Sequence, residues 1–234
     1  MNAKDKNNSN TSRNGTQDFS VSLDDLNPVT AWISPNPKSL AQYVADTIDK
    51  TNSNSNVVVF YIDASNSFPL HQFEKVVPKD ERGTKIYESI RIQIALNLSE
   101  LNLTVRKILQ FISREKITRR LNKVPHQNKL KVLLILSGIE IMFKNSRMSL
   151  PQDPHHTILR DLFLRLRVEA NHSCDESGLT LKTFVILPLQ ECQKCQIPKE
   201  SNVLNNKRQR MVPTILGNSV GDYIVKFYAD TSIT

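Results

Sequence analysis

The sequence is poor in glycine, and none of its glycines is placed to bind a nucleotide. It has six glycines in 234 residues, whereas average composition predicts about 16. No glycine precedes a lysine, although a phosphate-binding loop needs Gly-Lys-Ser/Thr to place backbone N–H groups around a phosphate. The Gly-x-Gly-x-x-Gly dinucleotide fingerprint is also missing. These absences exclude an intact phosphate loop and an ordinary dinucleotide site.

The sequence also lacks long apolar runs and a disulfide pattern. No run of 18 apolar residues is present, which argues against a membrane span. The first 18 residues are rich in Asn, Ser and Lys without an apolar segment, so we expect no secretory signal. Three cysteines do not make a disulfide framework. We therefore expect a reducing compartment, cytosol or nucleus.

Positive charge is in excess. The chain has 31 Lys and Arg against 23 Asp and Glu, for a net charge of +8. An excess of this size indicates an anionic partner, either nucleic acid or a membrane surface. Hydrophobic residues make up 39% of the chain, which is enough for the core of one domain.

Two regions of different composition divide the chain. Residues 1–25 are polar and Asn-rich, and we predict a disordered tail because such a segment buries too little apolar surface to offset its ordering entropy. Residues 26–234 form one predicted domain. Within it, residues 190–217 show no hydrophobic periodicity and are predicted to be a long basic loop.

The domain alternates predicted strands with predicted helices. The apolar runs of Val57–Asp63 and Leu130–Ser137 are typical of central strands that are buried on both faces of a parallel sheet. Lys85–Gln93 and Leu181–Leu187 are the other predicted strands, and Lys38–Asp49, Leu70–Val77, Leu98–Leu121 and Pro154–Val168 are the predicted helices. We predict an α/β fold with a mainly parallel central sheet flanked by helices.

This order of elements resembles the core of RecA-like recombinases. The closer resemblance is to the chromosome segregation in meiosis family of subunits of the yeast Shu complex, which are RecA-like recombinase paralogues. The segments that carry it are Phe60–Leu70, Ser137–Ser146, Leu159–Val168 and Lys226–Asp230. The resemblance extends from about Trp32 to the C-terminus and implies a RecA-like core.

Aligned on that core, the nucleotide-binding positions have lost their residues. The eight residues ending at Ser39 read Trp-Ile-Ser-Pro-Asn-Pro-Lys-Ser, so Trp32 and Pro37 replace both glycines of Gly-x-x-x-x-Gly-Lys-Ser. Ser65 stands where the water-activating glutamate is usual, and Ser137 where the magnesium-site acid is usual. Three requirements of phosphoryl transfer are missing together. We predict no functional Walker motifs, no cofactor, no catalytic residue and no enzymatic activity.

The remaining candidate acids and cysteines are interpreted as structural rather than catalytic or metal-binding. Asp63, at the end of a strand, is interpreted as a cap of the next turn rather than a magnesium ligand. Glu140 is interpreted as a helix-facing or solvated carboxylate. Cys192-x-x-Cys195 supplies only two of the four ligands that a structural zinc needs. We therefore predict no metal site.

Two basic clusters are candidates for contact with DNA. The first closes the long helix and comprises Arg114, Lys116, Arg119, Arg120, Lys123, Lys129 and Lys131; a solvated helix end and a DNA contact both remain open for it. The second comprises Lys207, Arg208 and Arg210 in the predicted loop. In RecA-like proteins the loop at this place lines the DNA path, so the resemblance implies that these three residues bind DNA phosphates.

Phe68 is the candidate for a protein interface. It lies in the turn after Asp63, where an aromatic side chain is either core packing or an exposed anchor for a partner. The resemblance implies an interface, because neighbouring RecA-like cores meet around such edges. We predict that Phe68 contacts another recombinase paralogue.

The resemblance also implies a function and a set of partners. It implies a non-catalytic, DNA-binding subunit that promotes recombinase filament assembly in homologous recombination and error-free DNA damage tolerance, located in the nucleus. The implied partners are a second RecA-like subunit in a heterodimer, a SWIM zinc-finger protein, a small fourth subunit, other recombinase paralogues and DNA, with no membrane. Two alternatives remain open: a degenerate but active RecA-type ATPase, and a scaffold subunit without direct DNA contact.

Overall fold

The apolar runs of the sequence assemble into one parallel sheet in the computed structural model, which describes residues 21–51, 55–122, 129–149, 154–172, 178–192 and 219–234. Its strands are β1 (Val29–Ile33), β2 (Ser55–Asp63), β3 (Ile90–Ile94), β4 (Lys129–Ser137), β5 (Leu179–Leu187) and β6 (Thr231–Ile233). The order across the sheet is β3-β2-β4-β5-β1-β6, and every neighbouring pair is parallel. The predicted α/β fold with a parallel central sheet is confirmed, and the architecture is consistent with a RecA-like core.

Helices cover both faces of this sheet. They are α1 (Pro37–Thr51), α2 (Leu70–Val76), α3 (Glu81–Glu88), α4 (Leu98–Leu121), α5 (Ile139–Ser149), α6 (His155–His172), α7 (Leu189–Cys192) and α8 (Val220–Phe227). One face buries α4, α5, α6 and α8 in a single apolar cluster, and the other buries α1, α2 and α3 in a second. Among the described residues, no helix is both long enough and apolar enough to cross a membrane.

The strand register brings several strand ends to the same edge of the sheet. Asp63 at the end of β2 lies opposite Ser137 at the end of β4, and Ser137 lies opposite Ile186 of β5. Ile33, the last residue of β1, pairs with Leu187, the last residue of β5. Because all four strands run in parallel, the turns that follow them meet at this carboxyl edge.

The long helix α4 has the bounds that the sequence predicts, whereas the predicted strand Lys85–Gln93 is wrong at its first half. Lys85–Glu88 belongs to helix α3, and the strand β3 begins only at Ile90. The reason is a helix cap at Asp80, whose side chain accepts hydrogen bonds from the N–H groups of the second and third helical residues at 3.0 and 3.1 Å. The cap starts a helix that runs through residues whose alternation resembles a strand.

The predicted N-terminal boundary and the predicted loop both lie near residues that the structure does not describe. The short 3₁₀ helix Leu23–Asp25 lies before the predicted boundary at residue 26, and the side chain of Leu23 is buried in the core. Residues 1–20 of the predicted tail lie outside the described residues. The predicted loop begins inside α7, and its remainder, residues 193–217, lies outside the described residues as well.

Candidate functional site

A pocket of about 250 Å³ lies at the carboxyl edge of the sheet. The turns after β1, β2, β4 and β5 provide its lining. In parallel α/β folds this crevice is the usual place for a ligand. It is therefore the candidate site for a bound nucleotide.

The turn between β1 and α1 offers few backbone N–H groups to a phosphate. Pro35 and Pro37 have none, the N–H of Ser34 donates to a β5 carbonyl at 2.7 Å, and that of Lys38 donates to Oδ1 of Asn36 at 2.9 Å. Ser34 itself has the left-handed φ of 48°. Four positions of this turn, Ser34, Pro35, Pro37 and Lys38, thus have no N–H group left to cradle a phosphate.

Trp32 does not fill the position that the sequence alignment suggests. It lies inside strand β1, only 3% exposed. Its ring packs against Tyr43 and Phe184, with centroid distances of 5.8 and 5.3 Å. The loop is therefore shorter than the alignment predicts, and Trp32 belongs to the core beneath α1. Lys38 is exposed and does not line the pocket.

Asp63 caps the turn after β2, which confirms its structural interpretation. Its carboxylate is 1% exposed and accepts hydrogen bonds from the N–H of Ser65 at 2.9 Å, from Oγ of Ser65 at 3.0 Å and from the N–H of Ser67. Both carboxylate oxygens are thereby engaged with the chain itself. The turn also contains Asn66 with a left-handed φ of 54°, a conformation that asparagine tolerates better than most residues.

The wall formed by the β4–α5 turn is polar and carries a carboxylate. Ser137 at the end of β4 shares a hydrogen bond with Ser67, with 3.2 Å between the two Oγ atoms. Gly138 has a φ of 74°, and a Cβ built on it would lie 3.0 Å from Cβ of Ala64, so the tight turn requires glycine. This turn places Glu140, in the first turn of α5, against the pocket.

Glu140 is half-buried rather than solvated. Its Oε2 atom is buried and has no hydrogen-bond partner among the described residues. Burial raises the pKa of the Glu140 carboxyl, and the charges of Glu191 and Asp63 raise it further. No Lys, Arg or His lines the described part of the pocket. A bound polyphosphate would therefore meet a carboxylate and no neutralising cation.

Phe68 lies at the rim of this pocket, between two residues that line it. Its ring is half-buried against Tyr61 and Phe73, with centroid distances of 5.0 and 5.4 Å. The side chain thus contacts the core and keeps part of its surface accessible. That geometry is compatible with an interface anchor, and the interface role of Phe68 stays a prediction.

The structure separates the basic residues that the sequence groups together. Lys116 pairs with Glu169 at 2.5 Å and Lys131 pairs with Asp24 at 2.7 Å, so both lysines hold elements of the fold together. Arg114 is exposed and lines a groove beside α4. Lys207, Arg208 and Arg210, together with Lys123, lie outside the described residues.

Of the two cysteines of the Cys-x-x-Cys motif, only Cys192 is among the described residues. Cys192 is half-buried at the end of α7 and Cys195 lies outside the described residues. Burial raises the pKa of the Cys192 thiol, and the carboxylates of Asp222 and Glu191 raise it further. Within the described ranges, no group of three or more His, Cys, Asp or Glu could hold a metal ion.

Comparison with known proteins extends over most of the chain. A family model described as "Shu complex component Csm2, DNA-binding" matches residues 29–229. Chromosome segregation in meiosis protein 2 of Saccharomyces cerevisiae is 34% identical over 217 residues, which cover 90% of this chain and 99% of that protein. The protein of the same name from Candida glabrata is 30% identical over 210 residues, covering 88% of this chain and 95% of the relative.

Proposed function

The chain belongs to the family of Csm2 components of the Shu complex, and from that membership we propose that it is a non-catalytic, DNA-binding subunit of a recombinase-paralogue complex. In this proposal the complex promotes assembly of a recombinase filament in homologous recombination and error-free DNA damage tolerance. It acts in the nucleus. The observation that carries the proposal is the family match over residues 29–229 on a RecA-like sheet whose ligand crevice has lost its phosphate-binding groups.

The non-catalytic part rests on the pocket at the carboxyl edge. The turn after β1 uses its own N–H groups at Ser34 and Lys38, and Asp63 is occupied by the turn that it caps. Ser137 replaces the acid that would hold magnesium. These features argue against a degenerate but active ATPase, because positioning and charge neutralisation supply almost all catalysis in phosphoryl transfer.

The proposed partners are a second RecA-like subunit in a heterodimer, a SWIM zinc-finger protein, a small fourth subunit and other recombinase paralogues. The edge strand β3 supports a protein partner. Among the described residues β3 pairs only with β2, and Ile92, Ile94 and the following Leu96 are each more than half exposed. An open strand edge with apolar side chains is a typical docking surface for another chain. Phe68 is the proposed contact to another recombinase paralogue.

The DNA-binding part is supported by the family description and by charge. The net charge of +8 favours a polyanion. Lys207, Arg208 and Arg210 form a basic run whose expected place, from the resemblance to RecA-like proteins, is beside the DNA path. We propose that these three side chains bind DNA phosphates without reading the bases.

A salt titration of DNA binding tests this proposal against a scaffold without DNA contact. The purified full-length protein, together with any subunit that co-purifies with it, is titrated onto labelled single-stranded DNA at several salt concentrations. Each phosphate contact contributes about 0.7 to the log–log salt slope. We expect the triple variant Lys207→Ala, Arg208→Ala, Arg210→Ala to lower the slope by about 2 while the melting temperature stays unchanged. An unchanged affinity and slope would show that these three residues do not bind DNA.

Partnership has its own test. Co-expression with a second RecA-like subunit, followed by a mass measurement, is expected to give a one-to-one heterodimer. The chain alone is expected to self-associate through its exposed apolar edge. A monomer that is well behaved at micromolar concentration and indifferent to the partner would contradict the heterodimer.

A further inference from the structure

A basic groove runs along helix α4 where this helix packs beside α6. The groove encloses about 620 Å³ and is lined by one stripe of α4 and by Arg165 of α6. Arg106 and Arg114 are two full turns apart on that stripe, and Leu109 and Ile117 provide its apolar wall. All three arginines are exposed. The groove therefore presents three guanidinium groups to solvent on one surface.

The three arginines have no carboxylate partner within the part of the chain that the structure describes. The nearby acids of α6 are already paired, because Asp161 bonds Arg160 at 3.3 Å and Glu169 bonds Lys116 at 2.5 Å. Within the described residues, the three arginines thus form no ion pair, although Glu115 follows Arg114 in the sequence. An external anion is the missing counter-charge.

The spacing of the arginines fits a phosphodiester backbone. Eight residues of helix separate Arg106 from Arg114, which is roughly 12 Å along the axis. Phosphates of one duplex strand advance about 3.4 Å each along the duplex axis, so the backbone positions of the two arginines are as far apart as about three or four phosphate steps along that axis. Arg165 faces them from α6, where its Nη1 donates to Oδ1 of Asn102 at 3.3 Å. Guanidinium forks match phosphate oxygens in geometry as well as charge.

The groove lacks an aromatic platform for unstacked bases. No aromatic side chain is among its described lining residues, whereas single-stranded bases usually stack on such side chains. This favours a duplex, whose bases are stacked inside and whose phosphates are accessible. Phosphate contacts carry no sequence information, so we expect binding that is independent of sequence.

We propose that the groove between α4 and α6 is a second DNA-contact site, in which Arg106, Arg114 and Arg165 bind the phosphodiester backbone of duplex DNA. The inference rests on the proposed DNA-binding function and adds a site distinct from the basic run at Lys207–Arg210. It also assigns Arg114 to DNA, while Lys116 and Lys131 of the same sequence cluster serve the fold.

A matched pair of triple variants tests the site. The groove variant is Arg106→Ala, Arg114→Ala, Arg165→Ala. The control variant Lys107→Ala, Lys144→Ala, Arg147→Ala removes the same charge from exposed positions outside the groove. Full-length protein, with any co-purifying subunit, is titrated by anisotropy onto a labelled duplex of about 30 base pairs over a range of salt concentrations.

Because each phosphate contact in duplex DNA contributes about 0.9 to the salt slope, the groove variant is expected to lose between about 2 and 3 from that slope. The control variant is expected to lose less than about 1. A third variant with lysine at the three groove positions keeps the charge and is expected to recover most of the slope. Thermal unfolding checks that all variants remain folded.

Three results would overturn the site, and they are distinguishable. If the groove and control variants lose the same amount of salt slope while the wild type binds DNA, the groove is not a DNA site and the proposed function is unaffected. If the wild type shows no salt-dependent DNA binding, both the proposed function and the proposed groove site are contradicted. A groove variant that binds DNA normally but loses an acidic co-purifying subunit assigns the groove to a protein partner instead.

Discussion

The pocket at the carboxyl edge of the sheet and the groove between α4 and α6 are opposites in charge and construction. The pocket is lined by serines, prolines and the carboxylate of Glu140, and its turns use their own N–H groups. The groove carries three exposed arginines and an apolar wall. The first lies where a RecA-like core would hold phosphates, and the second lies on the helical layer.

This contrast indicates how a RecA-like core can lose its nucleotide site and still bind anions elsewhere on its surface. Pro35 and Pro37 in the turn after β1 remove two N–H donors and restrict φ at both positions. Asp63 contributes in the same way, because its carboxylate is satisfied by Ser65 and Ser67. The pocket is thereby a structural element, and in our proposal the groove between α4 and α6 and the basic run Lys207–Arg210 bind anions instead.

The largest expected effect tests whether the turn after β2 is structural. Asp63→Ala removes a buried acceptor and leaves the N–H groups of Ser65 and Ser67 without their bond. We expect a loss of about 2–3 kcal/mol in the free energy of unfolding, measured by urea denaturation. The control Asp80→Ala removes an exposed helix cap and is expected to cost clearly less. Equal costs would show that the turn after β2 does not depend on its buried cap.

The next effect compares a half-buried ring at the rim of the pocket with a fully buried ring of the core. Phe68→Ala truncates a half-buried ring, so we expect a loss of about 1–2 kcal/mol, less than the 3–5 kcal/mol expected for the fully buried Phe73→Ala. Binding of another recombinase paralogue to the assembly is expected to weaken at least about tenfold, equivalent to about 1.4 kcal/mol. Binding is measured at a temperature where the variant is folded. If stability falls as far as in Phe73→Ala and paralogue binding is unchanged, Phe68 is core.

A smaller effect concerns the charge of the pocket. The pKa of Glu140 is raised by burial and by neighbouring carboxylates, so the folded protein binds more protons than the unfolded chain between the two pKa values. Stability conferred by protonated Glu140 is therefore lost as pH rises through its folded-state pKa. Glu140→Gln is expected to raise the melting temperature at pH 7. The gain is expected to shrink as pH falls through the folded-state pKa of Glu140 and to vanish below about pH 4.3, the ordinary pKa of glutamate.

The matched control is Glu88→Gln, which changes an exposed glutamate of α3 and is expected to leave the melting temperature nearly unchanged. A lower melting temperature for Glu140→Gln at pH 7 would show that the ionised carboxylate stabilises the pocket.

Sequence patterns predict the central elements because these elements bury whole faces. Helix α4 begins at a residue capped by Asn97 and repeats buried Leu101, Val105, Ile108 and Ile112 on one stripe, so its bounds follow from periodicity and capping. β2, β4 and β5 follow from continuous apolar runs. The short strand β1 is not predicted, because its last two residues, Trp32 and Ile33, align with the start of a phosphate loop.

The rest depends on a helix cap that the hydrophobic pattern does not show and on contacts between distant parts of the chain. Helix α3 begins directly after its cap Asp80, and the cap decides between helix and strand for residues whose own pattern favours a strand. The groove brings Arg165 of α6 to Arg106 and Arg114 of α4, and no spacing along the chain predicts that meeting. Likewise, only the fold shows that Glu169 neutralises Lys116 and that Arg114 forms no ion pair among the described residues.

The measurement that tests the account most directly is a titration of full-length wild-type protein, with any co-purifying subunit, with Mg²⁺ and ATP, followed by calorimetry. The same titration is made on Lys38→Ala, which changes the one lysine left from the phosphate-loop pattern and is exposed outside the pocket. The account predicts no saturable binding in either protein up to millimolar ATP, and unchanged DNA affinity in the variant. Saturable ATP binding by the wild type that Lys38→Ala abolishes would contradict it, because the pocket would then still be a nucleotide site.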